Sequence, residues 1–290
     1  MRKNGKRLAV VAVAAALAAR APCLQPPSDA PGLGPAPISL RDRAFVLCWH
    51  SFLGAQSLDT DFSTDELAAQ LDSLLALGYR FIGLEDALFG RIEGGLNLVA
   101  TIDDGHRTIP EAVSKVFAAR GIRPSLLIYP AVIGSSQYFM KAEEVRDLGE
   151  RGCSIGAHGF YHLYLGPELR RENPPSYSKE IFKAKDAVEA LIGRPVVVYA
   201  YPFGAYDQIA KDDVARAGYA FSLAVKPGFI YKDGRLNDPY ELPRTVVKRE
   251  GWTALYSFLK RNAGRGDGSA PAPSHRTESD EFPAPELFQK

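Results

Sequence analysis

Residues 96–108 read LNLVATIDDGHRT, and this stretch decides how the rest of the chain is interpreted. Its apolar first half is typical of a buried strand, and polar residues begin where such a strand would end. Asp103 and Asp104 follow side by side, and buried charges are costly unless something uses them. Because neighbouring strand residues point to opposite sides, the two carboxyls cannot simply share a proton. We therefore expect one carboxylate to ligate a metal and the other to stay free as a base, although Asp-Asp-Gly alone is also a common turn.

The composition indicates a globular protein that does not bind nucleic acid. The chain has 290 residues, of which 46% are hydrophobic and 24% are charged, so one or two domains with a large core are expected. Its net charge is +1, and no basic cluster occurs beyond the N-terminus. A nucleic-acid-binding surface is therefore not expected.

Residues 1–21 have the pattern of a signal peptide or membrane anchor. Four basic residues precede an uncharged apolar stretch, residues 8–19, which is short for a bilayer span. Cys23 leaves lipid modification open as an alternative. Each of these alternatives predicts an extracytoplasmic protein: secreted, periplasmic or tethered to the membrane of the cell envelope.

Composition also marks the domain boundaries. Residues 22–43 contain six prolines and predict an extended linker, whereas residues 262–290 are rich in Gly, Pro, Ser and charge and predict a disordered tail. One catalytic domain is expected between them, at residues 44–261. Within it, Cys48 and Cys153 lie in predicted buried strands, and we expect two free thiols rather than a disulfide.

Strands and helices alternate through residues 44–261. The predicted strands are residues 44–49, 79–83, 96–102, 125–129, 153–157, 196–200 and 219–225. Helices are predicted after the capping box of Ser63 and Glu66 and at residues 110–120, 141–151, 178–192, 205–217 and 252–260. About seven strands alternating with helices predict the α/β class and a single distorted (β/α) barrel, with a doubly wound sheet as the alternative.

Four of the five histidines follow predicted strands, where barrel enzymes place their active sites. His50 follows the first strand, His106 the third and His158 the fifth, and His162 comes four residues after His158. The one-turn spacing of His158 and His162 allows both imidazoles to bind one ion. With Asp104 they form a two-histidine, one-carboxylate set that leaves positions open for water and substrate, as in catalytic zinc sites. Iron or another divalent ion can use the same ligands.

These motifs resemble those of the polysaccharide deacetylases, also called the NodB-like proteins or carbohydrate esterase family 4. The resemblance rests on five segments in family order: LCWH at 47–50, TIDDG at 101–105, HGFYH at 158–162, YAYPFGAYD at 199–207 and LPR at 242–244. The first, fourth and fifth of these segments are most similar to the branch that deacetylates poly-N-acetylglucosamine.

The resemblance implies a NodB-like distorted barrel that removes N-acetyl groups from an amino-sugar polymer with the help of a divalent metal. That metal would be Zn²⁺, with Co²⁺, Ni²⁺ or Fe²⁺ as alternatives. The implied metal ligands are Asp104, His158 and His162, and Asp103 would be the general base. The implied oxyanion and substrate-binding residues are Phe203, through its backbone N–H, with Tyr201 and Pro202.

Three departures from the family pattern shape the remaining assignments. Gly159 replaces the usual Ser or Thr between the histidines, and Val198 replaces an Arg that normally orients the base. The late L-x-H motif that usually supplies the acid is absent. We therefore assign the acid role to His50, and we hypothesise that Arg244 reaches the site and orients the base.

The substrate and partners are less sharply defined. Aromatic residues near predicted strand ends favour a carbohydrate cleft, and exopolysaccharide synthesis or export machinery is a candidate partner. Peptidoglycan, chitin fragments or O-acetylated xylan could be processed by the same chemistry. A non-catalytic envelope protein that binds sugar or metal is the alternative from another class.

Overall fold

A computed structural model of the chain describes residues 42–55, 58–234 and 237–264. The predicted signal or anchor segment, nearly all of the proline-rich linker and nearly all of the predicted tail lie outside the described residues. Within these residues, no helix combines the length and apolarity that a membrane span requires.

The described residues contain one nine-stranded sheet. Its strands are β1 (Arg43–Trp49), β2 (Arg80–Phe81), β3 (Asn97–Asp104), β4 (Ser125–Ile128), β5 (Ile155–Ala157), β6 (Val198–Ala200), β7 (Phe221–Leu223), β8 (Ile230–Tyr231) and β9 (Thr245–Val246). The main path runs β7-β6-β5-β4-β3-β1-β8, while β2 pairs with β3 and β9 pairs with β1. Only β8 is antiparallel to its neighbour in this set of pairings.

A short C-terminal segment connects the two sides of the curled sheet. Leu242 forms a bridge with Leu223 in β7, and β9, a few residues later, pairs with Leu47 and Cys48 of β1. One chain segment thus spans the gap between the last and first strands of the parallel series. The predicted distorted (β/α) barrel is confirmed, and its seven expected strands are present. Two further strands, β8 and β9, have only two residues each and are too short to give a periodic pattern.

Helices surround the sheet. They are α1 (Thr64–Ala76), α2 (Leu84–Leu88), α3 (Ile109–Ala112), α4 (Ala142–Glu150), α5 (Pro167–Glu172), α6 (Pro174–Ser178), α7 (Ala184–Ile192), α8 (Gln208–Arg216) and α9 (Trp252–Gly264). A π turn, Val113–Phe117, continues α3, and a second π turn, Lys179–Lys183, joins α6 to α7. The predicted capping box begins α1, since Glu66 N donates to Ser63 Oγ and Ser63 N donates to Glu66.

Alternate residues of the strands enter two separate apolar layers. Phe45, Leu47 and Trp49 of β1 pack in the larger layer together with the helices. Ala44 and Val46 belong to a smaller layer in the barrel interior, which other strands complete with Val99, Leu127, Val198 and Leu223. Both predicted thiols, Cys48 and Cys153, are free and buried.

Candidate active site

The period of two along β3 places Asp103 inside the barrel. Val99 lies in the interior apolar layer, and Thr101 and Asp103 follow at intervals of two residues on the same face. Asp103 is buried with only 1% of its surface exposed. A carboxylate at this depth requires compensation by a positive charge or by hydrogen-bond donors.

Arg244 provides that compensation. Its Nη1 donates to Asp103 Oδ1 across 2.5 Å, and both side chains are almost completely buried. Burial alone would raise the pKa of Asp103, but the charge of Arg244 and its hydrogen bond to the carboxylate outweigh burial and hold the pKa well below its ordinary value. The structure thus places Arg244 against the carboxylate, where the sequence hypothesis required it, and Asp103 is ionised at neutral pH.

Asp104, His158 and His162 converge on one point beside this pair. The Nε2 atoms of the two histidines lie 3.1 Å apart, and Asp104 Oδ1 is 3.8 Å from His158 Nε2 and 3.6 Å from His162 Nε2. Ligand atoms about 2.1 Å from a tetrahedral ion lie about 3.4 Å from one another, so these separations suit one cation. The three residues form a group that can hold a metal ion.

The protonation of this group also suits a cation. His158 Nδ1 lies 2.9 Å from the carbonyl oxygen of Ala200, to which it can donate only as the Nδ1–H tautomer, with the lone pair of Nε2 facing the site. Burial lowers the pKa of His158 to about 3 and also lowers the pKa of His162, so both rings are neutral at pH 7. Asp104 Oδ1 is buried without a hydrogen-bond partner among the described residues, and burial raises the pKa of this carboxyl to about 6. An orphaned carboxylate oxygen beside two free imidazole nitrogens is what a divalent cation would satisfy.

His50 lies close to Asp103, in a second group of side chains. Ligand atoms of Cys48, His50 and Asp103 are all within 4.8 Å of one another. Burial raises the pKa of the Cys48 thiol well above its ordinary value, and Arg244 already neutralises Asp103, so this second group is poorly suited to a cation. His50 Nδ1 is buried and has no hydrogen-bond partner within the described ranges, which leaves this ring available for proton transfer.

Left-handed backbone is concentrated at this site. Among the described residues, the non-glycine residues with positive φ are Asp104 at 73°, His162 at 65° and Phe203 at 59°. Such conformations cost about 1–3 kcal/mol each and persist where the surrounding structure enforces them. Two candidate ligands and the candidate oxyanion residue therefore owe their orientation to strained backbone.

The loop after β6 brings Phe203 to the site but buries its neighbours. The Phe203 ring is 56% exposed and packs edge-on against the His162 ring, with centroids 4.5 Å apart. Tyr201 is completely buried, and its hydroxyl donates to the Tyr240 carbonyl 2.9 Å away. Pro202 is also buried. Both side chains pack beneath the loop, and the contact of Tyr201 and Pro202 with substrate stays a prediction.

The remaining aromatic residues also differ in how far they are exposed. Tyr138, Tyr161 and Tyr164 are exposed, whereas Trp49, the last residue of β1, is fully buried and donates its Nε1–H to Gln70. His106 is half-buried, with Nδ1 2.8 Å from Thr108 Oγ1, and does not join the ligand group. Sequence reasoning also missed Glu180, a fully buried carboxylate beside the histidine loop, because nothing in the local sequence distinguishes it from a solvated helix residue.

A model of the polysaccharide deacetylase family matches residues 95–222. This segment includes the carboxylate pair and both histidines of the ligand group, whereas His50 and Arg244 lie outside it. No sequence among curated proteins gives a significant match to the chain.

Several solved structures have a similar fold. IcaB from Ammonifex degensii superimposes with a TM-score of 0.66 at 21% identity, covering 76% of this chain and 97% of that chain. The deacetylase PplD from Streptococcus pyogenes, in complex with acetate, gives 0.63 at 16% identity over 76% and 99% of the two chains. A de-N-acetylase from Aggregatibacter actinomycetemcomitans gives 0.62 at 15% identity over 74% and 100%. The segment that matches the polysaccharide deacetylase family, residues 95–222, thus holds the carboxylate pair and the two histidines of the ligand group.

Proposed function

We propose that this protein is a metal-dependent hydrolase that removes N-acetyl groups from a poly-N-acetylglucosamine-like polysaccharide of the cell envelope. The observation that carries this proposal is the convergence of Asp104, His158 and His162 beside a carboxylate that Arg244 keeps ionised. The family match supports deacetylation, and the five sequence motifs support the amino-sugar substrate.

Asp104, His158 and His162 would hold the cation, which we take to be Zn²⁺, with Co²⁺, Ni²⁺ or Fe²⁺ able to use the same donors. Bound there, a divalent ion supplies Lewis acidity that polarises a carbonyl and lowers the pKa of water. The protein contributes two neutral imidazoles and one carboxylate in fixed positions, so little reorganisation is needed on binding.

Asp103 acts as the general base. One carboxylate oxygen is held by Arg244, while the other, Oδ2, lies 3.3 Å from His158 Nε2 and therefore faces the ligand group. Because this carboxylate stays ionised, it can accept a proton from the water that attacks the acetyl carbon. Its buried hydrogen bond to Arg244 fixes the direction from which that proton is taken.

Two further groups complete the reaction. The backbone N–H of Phe203 helps to stabilise the oxyanion, a role typically worth about 3–4 kcal/mol per donor. His50 in its protonated form donates a proton to the departing amine, because its ring lies close to Asp103 and its buried Nδ1 has no hydrogen-bond partner in the described part of the chain. Neither role uses the buried Tyr201.

The substrate assignment rests on the surface around the site. Exposed rings, among them Phe203, Tyr161 and Tyr164, suit the apolar faces of sugar residues. Peptidoglycan, chitin oligosaccharides and O-acetylated xylan are the alternative substrates for the same chemistry. A protein that only binds carbohydrate would not need a buried, ionised Asp103 beside the ligand group.

Acetate release tests the proposal. Protein treated with a chelator should release no acetate from partly purified poly-N-acetylglucosamine, and Zn²⁺ or Co²⁺ should restore the release. Chitin oligosaccharides, peptidoglycan and acetylated xylan, assayed in parallel, identify the substrate class. A metal-loaded protein that deacetylates none of these polymers would overturn the proposal. We further propose that the protein works outside the cytoplasm, beside the machinery that makes or exports the polymer, because residues 1–21 have the pattern of a signal or anchor.

A further inference from the structure

Glu180 is a fully buried carboxylate outside the reacting groups described above. It lies in the π turn Lys179–Lys183, which joins α6 to α7, and none of its surface is exposed. A π turn changes the direction in which helix side chains project, and such turns are frequent at functional sites. A buried carboxylate without a function would be costly, so its partners indicate its role.

Those partners are the backbone N–H groups of the loop that carries the two histidines. Glu180 Oε2 accepts from Phe160 N at 3.0 Å and from Leu163 N at 3.2 Å, and Oε1 accepts from Tyr161 N at 2.7 Å. Two of these donors lie between His158 and His162, and the third follows His162 directly. One carboxylate therefore restrains the whole loop.

Gly159 leaves the space that the carboxylate of Glu180 occupies. Its φ is +77°, and a Cβ added there would overlap Glu180 Oε2. The Ser or Thr of the family motif therefore has no room here, because the carboxylate of Glu180 occupies the space beside residue 159. The glycine at position 159 and the buried carboxylate of Glu180 therefore depend on each other.

Lys179, the residue before Glu180, holds the same loop from outside. Its Nζ donates to the Tyr161 hydroxyl at 2.5 Å and lies 4.6 Å from the centre of the Phe160 ring. The π turn thus contacts the loop with a cation on the surface and a carboxylate in the interior.

We propose that Glu180 is a positioning residue that fixes His158 and His162 in the geometry needed to bind a divalent cation, in place of the hydroxyl of the family motif. This inference rests on the metal site of the proposed function. Glu180 touches neither substrate nor cation; it acts through the backbone between the two ligands, which sustains the left-handed φ of His162.

The test is the Zn²⁺ affinity of metal-free protein, measured by competition with a chelating dye, for wild type and Glu180→Gln. The amide keeps the size of the side chain but turns an NH₂ group toward backbone donors. We expect the affinity to fall about 10- to 100-fold, as for other residues that orient metal ligands. Glu189→Gln is the matched control: that carboxylate also accepts a backbone N–H, from Val196 at 2.9 Å, and belongs to α7 beyond the π turn, so its Zn²⁺ affinity should equal that of wild type.

The visible spectrum of the Co²⁺-loaded proteins separates positioning from general stability. Glu180→Gln should change the position and intensity of the ligand-field bands, whereas Glu189→Gln should lower the melting temperature without changing them. Glu180→Asp replaces Glu180→Gln if circular dichroism finds the latter unfolded. Unchanged affinity and spectrum in a folded Glu180 variant would overturn this inference, whereas failure of the wild type to bind Zn²⁺ would overturn the proposed function itself.

Discussion

Arg244 Nη1 and Asp103 Oδ1 form a buried, charge-assisted hydrogen bond of 2.5 Å between residues 141 positions apart in the sequence. The arginine lies on the segment that connects β7 to β1, whereas the aspartate is the penultimate residue of β3. Each charge depends on the other, since removing one partner of a buried pair leaves the other uncompensated.

Arg244→Met should therefore destabilise the protein by about 3–5 kcal/mol and abolish turnover. Urea unfolding measures the first effect and acetate release the second. The double variant Asp103→Asn/Arg244→Met should recover part of the lost stability without recovering turnover, because it removes both charges together. If Arg244→Met alone deacetylates like wild type, Arg244 does not orient the base.

Asp103→Asn should retain Zn²⁺ binding and lose turnover by about 10²- to 10⁴-fold, the usual contribution of a general base. The amide cannot accept the proton of the attacking water, whereas the ligand group of Asp104, His158 and His162 remains intact. Metal content of the purified variant and steady-state acetate release test the two halves separately. Full activity would exclude Asp103 as the base.

His50→Gln should lower kcat by about 10²- to 10⁴-fold and leave Zn²⁺ affinity unchanged, because a proton donor acts on the leaving amine and not on the ligands. His106→Gln is the control, since His106 follows the same site in sequence but is hydrogen-bonded to Thr108, and its kcat should stay close to wild type. Equal losses in both variants would argue against a specific role for His50.

Zn²⁺ affinity should fall about tenfold for each pH unit below 6. Burial raises the pKa of Asp104 to about 6 and lowers that of His158 to about 3, and His162 is also shifted downward. As the pH falls, the carboxyl of Asp104 is therefore the first ligand to take up a proton, and a protonated ligand must release it to bind metal. Competition titrations should give a slope near zero at pH 7 that rises toward one proton at pH 5. A slope that stays near zero at pH 5 in wild type would contradict the raised pKa of Asp104.

Phe203→Gly should be more stable than Phe203→Ala by about 1 kcal/mol. Both variants remove the exposed ring, but only glycine adopts a positive φ such as the 59° of residue 203 without steric cost. Thermal unfolding of the two variants gives the difference directly, and both should show a raised KM for polymer if the ring contacts sugar. Equal stability would mean that the loop relaxes when the ring is removed.

The fold could be predicted from the sequence because the patterns that specify each strand and helix lie within short stretches of the chain. Apolar runs, capping residues and helix-ending glycines specify β1 to β7 and the helices between them, and parallel strands bring their ends together. Asp104, His158 and His162 could therefore be grouped before their distances were known. The two-residue strands β8 and β9 have no periodic pattern and were missed.

Contacts that depend on tertiary packing were harder to predict. The position of Arg244 follows from barrel closure, so the sequence supported it only as a hypothesis motivated by Val198. The burial of Tyr201 depends on Ser222 and Tyr240, which lie around its hydroxyl, and no sequence pattern indicates these neighbours. Glu180 was missed for a similar reason, since its partners are backbone N–H groups that no residue type reveals.

The segment that connects β7 to β1 also sets the order in which the candidate site is assembled. Leu242 and Thr245 pair with strands that were synthesised 19 and 198 residues earlier, and Arg244 lies between them. During synthesis, every other reacting group emerges before this arginine, so a nascent chain can assemble most of the barrel and still carry an unneutralised aspartate in its interior. Assembly of the candidate site and closure of the barrel are therefore one event, and a chain that stops short of residue 244 should be inert and readily degraded.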